Sequence, residues 1–192
     1  MPKCKAIYMK FEDVIQARKS VRKYADRPVE QEKIAKCLEA ARLAPSWENK
    51  QCWRFIVVRD KEIIVKLAKG FNFWAKSAPV MIVACGDPKR SGTSRGQDYY
   101  LVDVAIAMEH LVLAAANLGL GTCWLGFFDE DEVKELLGIP KGIRVVALTP
   151  LGYPHPSEGV WGKIIKMAVS KKRKDLGEIA YDGKWGNPFE KP

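Results

Sequence analysis

The apolar stretch over residues 101–118 constrains the fold of this chain more than any other segment. Its apolar residues fall nearly all round a helix, and such a helix must be covered on every side. The stretch has about the length of a membrane span, but Asp103, Glu109 and His110 would each be costly in lipid. We therefore predict a buried helix over residues 99–118 that ends at Gly119. Because few strands are available to cover it, we expect a second subunit to do so, which predicts a dimer with this helix at its centre.

Length and composition indicate one ordinary globular domain. The chain has 192 residues, of which 47% are hydrophobic and 29% charged, unlike a disordered chain. The net charge of +9 is compatible with an anionic partner, either nucleic acid, a phosphorylated cofactor or an acidic protein. Five cysteines without a C-x-x-C pair are typical of a reducing compartment, and residues 1–5 lack the apolar core of a signal peptide. We therefore expect a cytoplasmic protein.

The remaining hydrophobic pattern mixes helices with strands. Helices are predicted over residues 11–18, 30–43, 61–69 and 130–137. Buried strands are predicted over 55–58 and 80–85, and further strands over 122–125 and 144–149. Asp13 is the expected N-cap of the first helix, and Asp129 that of the helix before Gly138. Residues 86–97 are rich in Gly, Ser, Lys and Arg, which predicts a mobile loop or lid. The order of elements indicates an α/β or α+β fold.

Two arginines four residues apart predict an anion clamp near the N-terminus. Arg18, Lys19, Ser20 and Arg22 lie together in the run R-K-S-V-R. The arginine guanidinium presents a fixed fork of donors that fits phosphate oxygens, and it stays charged at any working pH. We expect this segment to hold a phosphate.

A second cluster follows the helix predicted over residues 30–43. Pro45 and Ser46 turn the chain, Trp47 is aromatic, and Asn49 tolerates left-handed backbone. One interpretation is a helix stop with a packed tryptophan, which composition alone favours. The other is a turn that holds a flat aromatic ligand.

Acid–base and metal-binding residues are scarce in this sequence. The two histidines, His110 and His155, lie far apart, and His110 is expected to be a packed residue of the long helix. The sequence has no Cys/His zinc spacing, no H-E-x-x-H and no G-x-S-x-G, so we predict no metal ligands and no nucleophilic triad. An enzyme with this composition would take its chemistry from a cofactor.

An ordered set of motifs resembles the nitroreductase family of flavin mononucleotide (FMN) enzymes. The motifs are R-x-S-x-R-x-[YF] at residues 18–24, A-P-S-x-x-N-x-Q-x-W-x-F at 44–55, A-P-V at 78–80, L-G-L-G-T-C-W at 118–124, L-G-I-P at 137–140 and L-G-Y-P at 151–154. Each motif alone is weak, but the ordered set is specific and covers about residues 11–154. The resemblance implies an α+β fold with a central, mainly antiparallel sheet flanked by helices. It also implies an intertwined homodimer with two flavin sites, each built from both subunits, and a tail over residues 155–192 that wraps the partner.

The resemblance assigns roles around the flavin to residues of the N-terminal clamp. Arg18 and Ser20 would hold the phosphate and ribityl chain, and Lys19 between them is also a cofactor-binding candidate. Arg22 would lie at the N1/O2 edge of the ring, where negative charge develops on reduction, and a cation there favours hydride acceptance.

Further roles are implied for residues outside the clamp. Pro45, Ser46, Trp47 and Asn49 would come from the other subunit, and Thr122, Cys123 and Trp124 would run beside the ring near its N5. Asn72 and Arg173 are further expected contacts, the second to the phosphate, with Lys171 and Lys172 as lesser candidates. The basic run over residues 171–174 is alternatively a solvated tail or a nucleic-acid patch.

The implied function is an oxidoreductase that uses FMN. NAD(P)H would pass a hydride to flavin N5, and an electron-poor acceptor such as a nitroaromatic, quinone or activated alkene would then take it up in a ping-pong cycle. One alternative is a specialised member, either a reductive dehalogenase or a flavin-consuming enzyme. A nucleic-acid-binding domain is disfavoured because basic and aromatic residues do not interleave on one strand.

Overall fold

A computed structural model describes residues 9–157, 159, 164 and 173–190 of the chain. The chain divides into two compact units, Met1–Gly159 and Val160–Pro192. In the first unit the helices are α1 (Phe11–Ala17), α2 (Gln31–Arg42), α3 (Lys61–Leu67), α4 (Tyr99–Asn117) and α5 (Glu130–Leu137), with 3-10 turns at Trp47–Asn49, Gly70–Ser77 and Pro88–Arg90. The strands are β1 (Trp53–Val58), β2 (Val80–Gly86), β3 (Thr93–Ser94), β4 (Gln97–Asp98), β5 (Gly121–Thr122) and β6 (Arg144–Gly152). In the second unit α6 spans Leu176–Ile179.

Four strands form an antiparallel sheet in the order β1-β2-β6-β5. Every residue of β2 is buried, as expected for an apolar run in the middle of a sheet. The mixed helices and antiparallel sheet confirm the α+β expectation. The prediction that residues 55–58 form a buried strand is wrong in part, because β1 lies at the edge of the sheet and Phe55, Ile56 and Val57 are only half-buried.

Helix α4 forms the centre of the first unit and packs mainly against α2. Its buried side includes Val104, Met108 and Leu111, whose exposed fraction is 0% in each case. Length and composition alone would let α4 span a membrane, but core helices of soluble proteins meet the same criterion, and 44% of the helix window is buried within this chain. The other side remains open, since Leu101 and Val102 are 46% and 47% exposed.

The ends of the helices follow the sequence signals with one correction. Asp129 accepts a hydrogen bond from the Glu132 N–H at 3.0 Å, and Gly138 takes the left-handed conformation after α5, as predicted. The N-cap of α1 is Lys10, so the prediction for Asp13 is wrong. Asp13 lies inside the first turn, where its charge still complements the helix dipole.

The segment predicted as a loop over residues 86–97 contains a short hairpin. β3 pairs with β4 across Arg95 and Gly96, which both have positive φ. Ser91 and Gly92, just before the hairpin, contact residues of the site described below.

Candidate functional site

The N-terminal clamp is an extended segment that runs beside β5. Ser20 forms a parallel bridge with Thr122, and the Val21 N–H donates to the Thr122 carbonyl at 2.8 Å. Side chains alternate along extended chain, so Ser20 and Arg22 share one side while Val21 points into the core. A Cβ on Gly121 would lie 2.5 Å from Val21, so glycine is needed for this close approach.

The clamp side chains converge on one thiol. Burial raises the pKa of Cys123, whereas the charge of Arg22, a hydrogen bond with Ser20 and the charge of Arg18 each lower it. Arg22 also lies over the ring of Trp74, 5.9 Å from its centroid. The structure therefore brings together Arg18, Ser20, Arg22 and the strand residue Cys123, and we call this group the cationic cradle.

The arginines of the cationic cradle have no acidic partner in the described part of the chain. Arg18, Lys19 and Arg22 are absent from its ion pairs, although other arginines are paired, such as Arg144 with Glu130 at 2.9 Å. Like charges held near one another repel, and a bound anion relieves that repulsion. The cradle therefore fits the doubly charged phosphate of FMN.

The second cluster is a turn over residues 45–51 with unusual backbone geometry, which we call the strained turn. Glu48, Asn49 and Gln51 have φ values of 47°, 55° and 50°. Left-handed backbone at residues other than glycine costs energy, and it persists where the surroundings hold it in place, often at functional sites. Ser46 Oγ accepts from the Gln51 N–H at 2.9 Å, and Asn49 Oδ1 accepts from Gln51 Nε2 at 3.0 Å.

Asp103 of α4 fastens the strained turn to the body of the protein. This carboxylate is 2% exposed and accepts from the Trp47 N–H at 2.8 Å, from Ser91 Oγ at 2.8 Å and from Cys52 Sγ at 3.4 Å. Burial, followed by the hydrogen bond and charge of Asp103, raises the pKa of Cys52 to about 11. Sequence reasoning missed this role of Asp103, although an aspartate inside the most apolar helix was a signal that could have revealed it.

The Trp47 ring packs against its own chain. Its centroid lies 4.2 Å from that of Tyr99, and a Cβ on Gly92 would come within 2.4 Å of the indole. This geometry agrees with the interpretation of a packed tryptophan, while the strain in the turn fits a ligand contact. Pro45 and Asn49 are exposed and accessible to another molecule.

The cationic cradle and the strained turn lie at opposite ends of α4. Asp103 near the start of the helix holds Trp47, whereas Ala116 near its end lines a pocket of about 140 Å³ with Arg18 and Thr122. At 1.5 Å per residue, these two helix positions are roughly 20 Å apart. One chain therefore does not bring the two predicted halves of the site together.

The other predicted site residues differ in where the structure places them. Asn72 is buried, and its Nδ2 donates to the Phe127 carbonyl at 2.5 Å. The Cys123 N–H donates to Thr149 Oγ1 at 3.1 Å, and Trp124 is 40% exposed. Arg173 is exposed and belongs to the second unit, so its phosphate role stays a prediction. Lys171 and Lys172 lie outside the described residues.

Comparison with known proteins agrees with this fold. The family model described as "Nitroreductase family" matches residues 15–72 and 68–153. A protein of Archaeoglobus fulgidus, whose name refers to NADH dehydrogenase and NAD(P)H nitroreductase, is 44% identical over 147 residues, which cover 73% of this chain and 83% of the relative. The FMN reductase [NAD(P)H] of Bacillus subtilis is 33% identical over 179 residues, covering 83% and 72%. The crystal structure of a nitroreductase family protein from Clostridium novyi NT superposes with a TM-score of 0.73 at 39% identity, covering 94% of this chain and 97% of that one.

The fold is an antiparallel sheet with flanking helices and a cationic cradle beside its short edge strand. The chain belongs to the nitroreductase family. More distant relatives carry other names: a 5,6-dimethylbenzimidazole synthase of Rhodospirillum rubrum is 29% identical over 174 residues, and an iodotyrosine deiodinase of Thermotoga neapolitana is 25% identical over 169.

Proposed function

We propose that this protein passes reducing equivalents from NAD(P)H through FMN to an electron-poor small molecule, such as a nitroaromatic, a quinone or an activated alkene. At the coarser level the chain is an NAD(P)H-dependent flavin oxidoreductase, as its family and the names of its relatives indicate. When bound, FMN supplies hydride acceptance and donation at N5. The observation that carries the proposal is the cationic cradle, whose arginines lack acidic partners among the described residues.

The residues of the cationic cradle have separable tasks in this proposal. Arg18 and Ser20 bind the phosphate end, because a guanidinium and a hydroxyl both donate to phosphate oxygens. Arg22 is stacked over Trp74 and lies farther along the segment, where it stabilises negative charge at the ring edge. Backbone groups of residues 122–124 orient the ring.

A homodimer completes the site by supplying the strained turn of the partner. Within one chain the two halves are roughly 20 Å apart along α4, a separation set by the helical rise. The open side of α4, with Leu101 and Val102, and the exposed Phe11 and Ile15 of α1 are apolar surface that a second copy would cover. This supports an intertwined homodimer with two shared sites. The cytoplasmic location stays an expectation based on cysteine usage.

The primary test is spectroscopic and kinetic. Protein purified from cells should be yellow with about one FMN per chain, and anaerobic NADH or NADPH should bleach the flavin absorbance. Addition of a nitroaromatic, quinone or activated alkene should restore it. A colourless protein that does not take up added FMN, or a flavin that neither nicotinamide reduces, would overturn the proposal.

A mixed-dimer experiment tests the shared site directly. One chain carries Arg18→Ala and Arg22→Ala, the other carries Pro45→Ala and Asn49→Ala, and each homodimer should be deficient in FMN. Co-expression should produce heterodimers in which one site is intact and the other carries both sets of substitutions. Random mixing makes about half of the dimers heterodimers, so about one site in four overall should bind FMN. If no flavin returns although heterodimers form, each site belongs to a single chain.

The alternative within the family is a specialised reaction. The deiodinase and synthase names among the distant relatives favour testing a halogenated phenol as acceptor and testing for consumption of the flavin itself. Release of halide at a rate above that of nitroaromatic reduction would favour the dehalogenase. Net loss of FMN during turnover would favour the flavin-consuming enzyme.

A further inference from the structure

A pocket of about 500 Å³ between α3 and α5 has no role in the site described so far. The α3 side of this α3–α5 pocket is formed by Lys66 and Leu67, with Lys69 just beyond the helix. The α5 side includes Glu132 and Glu135, and Phe127 lies in the segment between β5 and α5. The volume lies in the range of small-molecule sites.

The α3–α5 pocket adjoins the segment assigned to the flavin ring. Phe127 follows Trp124 by three residues, and its carbonyl accepts from Asn72 Nδ2 at 2.5 Å. Two residues beyond Asn72 on the same 3-10 turn, Trp74 lies under Arg22 of the cationic cradle. The 3-10 turn Gly70–Ser77 therefore contacts the cradle through Trp74 and the pocket residue Phe127 through Asn72. A ligand with its reacting end on the ring could place its far end in the pocket.

Two aromatic rings stand open to solvent beside the pocket. Phe127 is 70% exposed and Phe71 is 68% exposed, and the rings meet edge to face with centroids 5.6 Å apart. Exposed phenyl rings are costly in water and offer a surface on which a flat heterocycle can stack. The purine of the nicotinamide donor is such a heterocycle.

The charge of the pocket differs from that of the whole chain. Two lysines, Lys66 and Lys69, face three carboxylates, those of Asp129, Glu132 and Glu135, in a chain of net charge +9. Lys69 is already paired with Glu132 at 3.0 Å. Carboxylates accept hydrogen bonds from ribose hydroxyls, whereas they repel a phosphate at the same position.

We propose that the α3–α5 pocket takes the adenosine end of the dinucleotide donor and that its carboxylates select NADH over NADPH. This inference rests on the proposed function, since it places the donor's nicotinamide on the bound flavin. Phe127 stacks on the adenine, and Glu135 with Glu132 faces the adenosine ribose.

A truncated donor separates binding in the pocket from chemistry at the flavin. 1-Benzyl-1,4-dihydronicotinamide donates a hydride but lacks adenosine and phosphates. In Phe127→Ala holoenzyme, the KM for NADH should rise roughly tenfold, as expected for losing one base–aromatic stack. The rate with the truncated donor should stay within about twofold of wild type, because no contact beyond the nicotinamide is used.

A charge variant tests the selectivity. Wild-type holoenzyme should have a higher kcat/KM with NADH than with NADPH. The Glu132→Gln/Glu135→Gln variant should raise the NADPH/NADH ratio of kcat/KM by roughly tenfold, because it removes two negative charges and frees Lys69 for phosphate. Glu62→Gln on α3, which does not line the pocket, is the matched control and should leave the ratio unchanged.

The outcomes separate this inference from the proposed function. If neither NADH nor the truncated donor reduces the bound flavin, the proposed function fails. Two other outcomes overturn the pocket assignment alone, provided that both donors reduce the flavin. One is a wild-type kcat/KM for NADPH equal to that for NADH. The other is an equal effect of Phe127→Ala on the reactions with NADH and with the truncated donor.

Discussion

In the part of the chain that the structure describes, the charged groups of the cationic cradle have no acidic partner, whereas the strained turn satisfies its polar groups within the chain. In the cradle, Arg18 and Arg22 form no ion pair among the described residues, and the backbone carries no positive φ. In the turn, positive φ at three positions is held by side-chain hydrogen bonds and by the buried Asp103. The cradle therefore leaves its charges available to an anion, whereas the turn is stabilised by the rest of the fold. Substitutions in the cradle should cost FMN affinity, whereas loss of the Asp103 contacts that hold the turn in place should cost stability.

The largest expected effect is loss of FMN from the Arg18→Ala/Arg22→Ala variant. Each charge-assisted hydrogen bond contributes about 1.5–3 kcal/mol, so removal of both arginines should weaken FMN binding at least about 100-fold. The apoprotein should lose less than about 1 kcal/mol of stability, because only the stacking of Arg22 on Trp74 is removed. Flavin fluorescence titration and thermal unfolding of the apoprotein measure the two quantities.

The matched control for the cradle removes the same charge elsewhere. Arg27→Ala/Arg59→Ala takes away two arginines outside the proposed site and should retain FMN. Equal loss of flavin in both double variants would mean that net charge, and not the cradle, binds the phosphate.

The next largest effect is loss of stability in Asp103→Ala. The substitution leaves the Trp47 N–H and the Ser91 hydroxyl without their acceptor in the interior, which should cost about 2–4 kcal/mol of unfolding free energy. For a chain of this size the apoprotein Tm should fall by roughly 5–15 °C. Asp103→Asn keeps an acceptor oxygen for the Trp47 N–H and should lose less. Asp26→Ala, an exposed aspartate, should change little, and a drop equal to that of Asp103→Ala would contradict the role of the buried carboxylate.

Much of the cradle was predictable because its signal is local. Two arginines and a serine between them lie within five residues. The extended backbone that places Ser20 and Arg22 on one side, and the approach of Cys123, come instead from the pairing of this segment with β5. The strained turn depends on contacts that local sequence does not reveal, since Asp103, Ser91 and Trp47 come from three separate segments. The partial error in the prediction for β1 has the same cause. Its β-branched residues predicted a strand correctly, but its position at the sheet edge depends on the order of the strands in space, which local sequence does not reveal.

The third effect concerns the packing of Trp47. In Gly92→Ala a new Cβ would lie 2.4 Å from the indole, which is also held by Tyr99 at 4.2 Å. Overpacking of this kind should destabilise the apoprotein by about 1–3 kcal/mol. Gly142→Ala is the control, because a Cβ there has no atom of the described chain within 4 Å. Equal thermal unfolding curves for the two variants would show that the Trp47 ring moves freely.

The smallest effect is a gain of stability on releasing strain at Glu48. Its φ of 47° is costly for glutamate and free of strain for glycine. Glu48→Gly should therefore stabilise the folded state by about 1–2 kcal/mol. The more flexible unfolded chain of the variant offsets about 0.4–1 kcal/mol of this gain in unfolding free energy. The net gain of up to about 1.5 kcal/mol should raise the apoprotein Tm by up to roughly 6 °C. Lys50→Ala removes the same exposed ion pair of 2.8 Å without changing the backbone, and should be nearly neutral. A Tm for Glu48→Gly below that of Lys50→Ala would mean that the fold does not store strain at this position, and the contrast with the relaxed cradle would then rest on Asp103 alone.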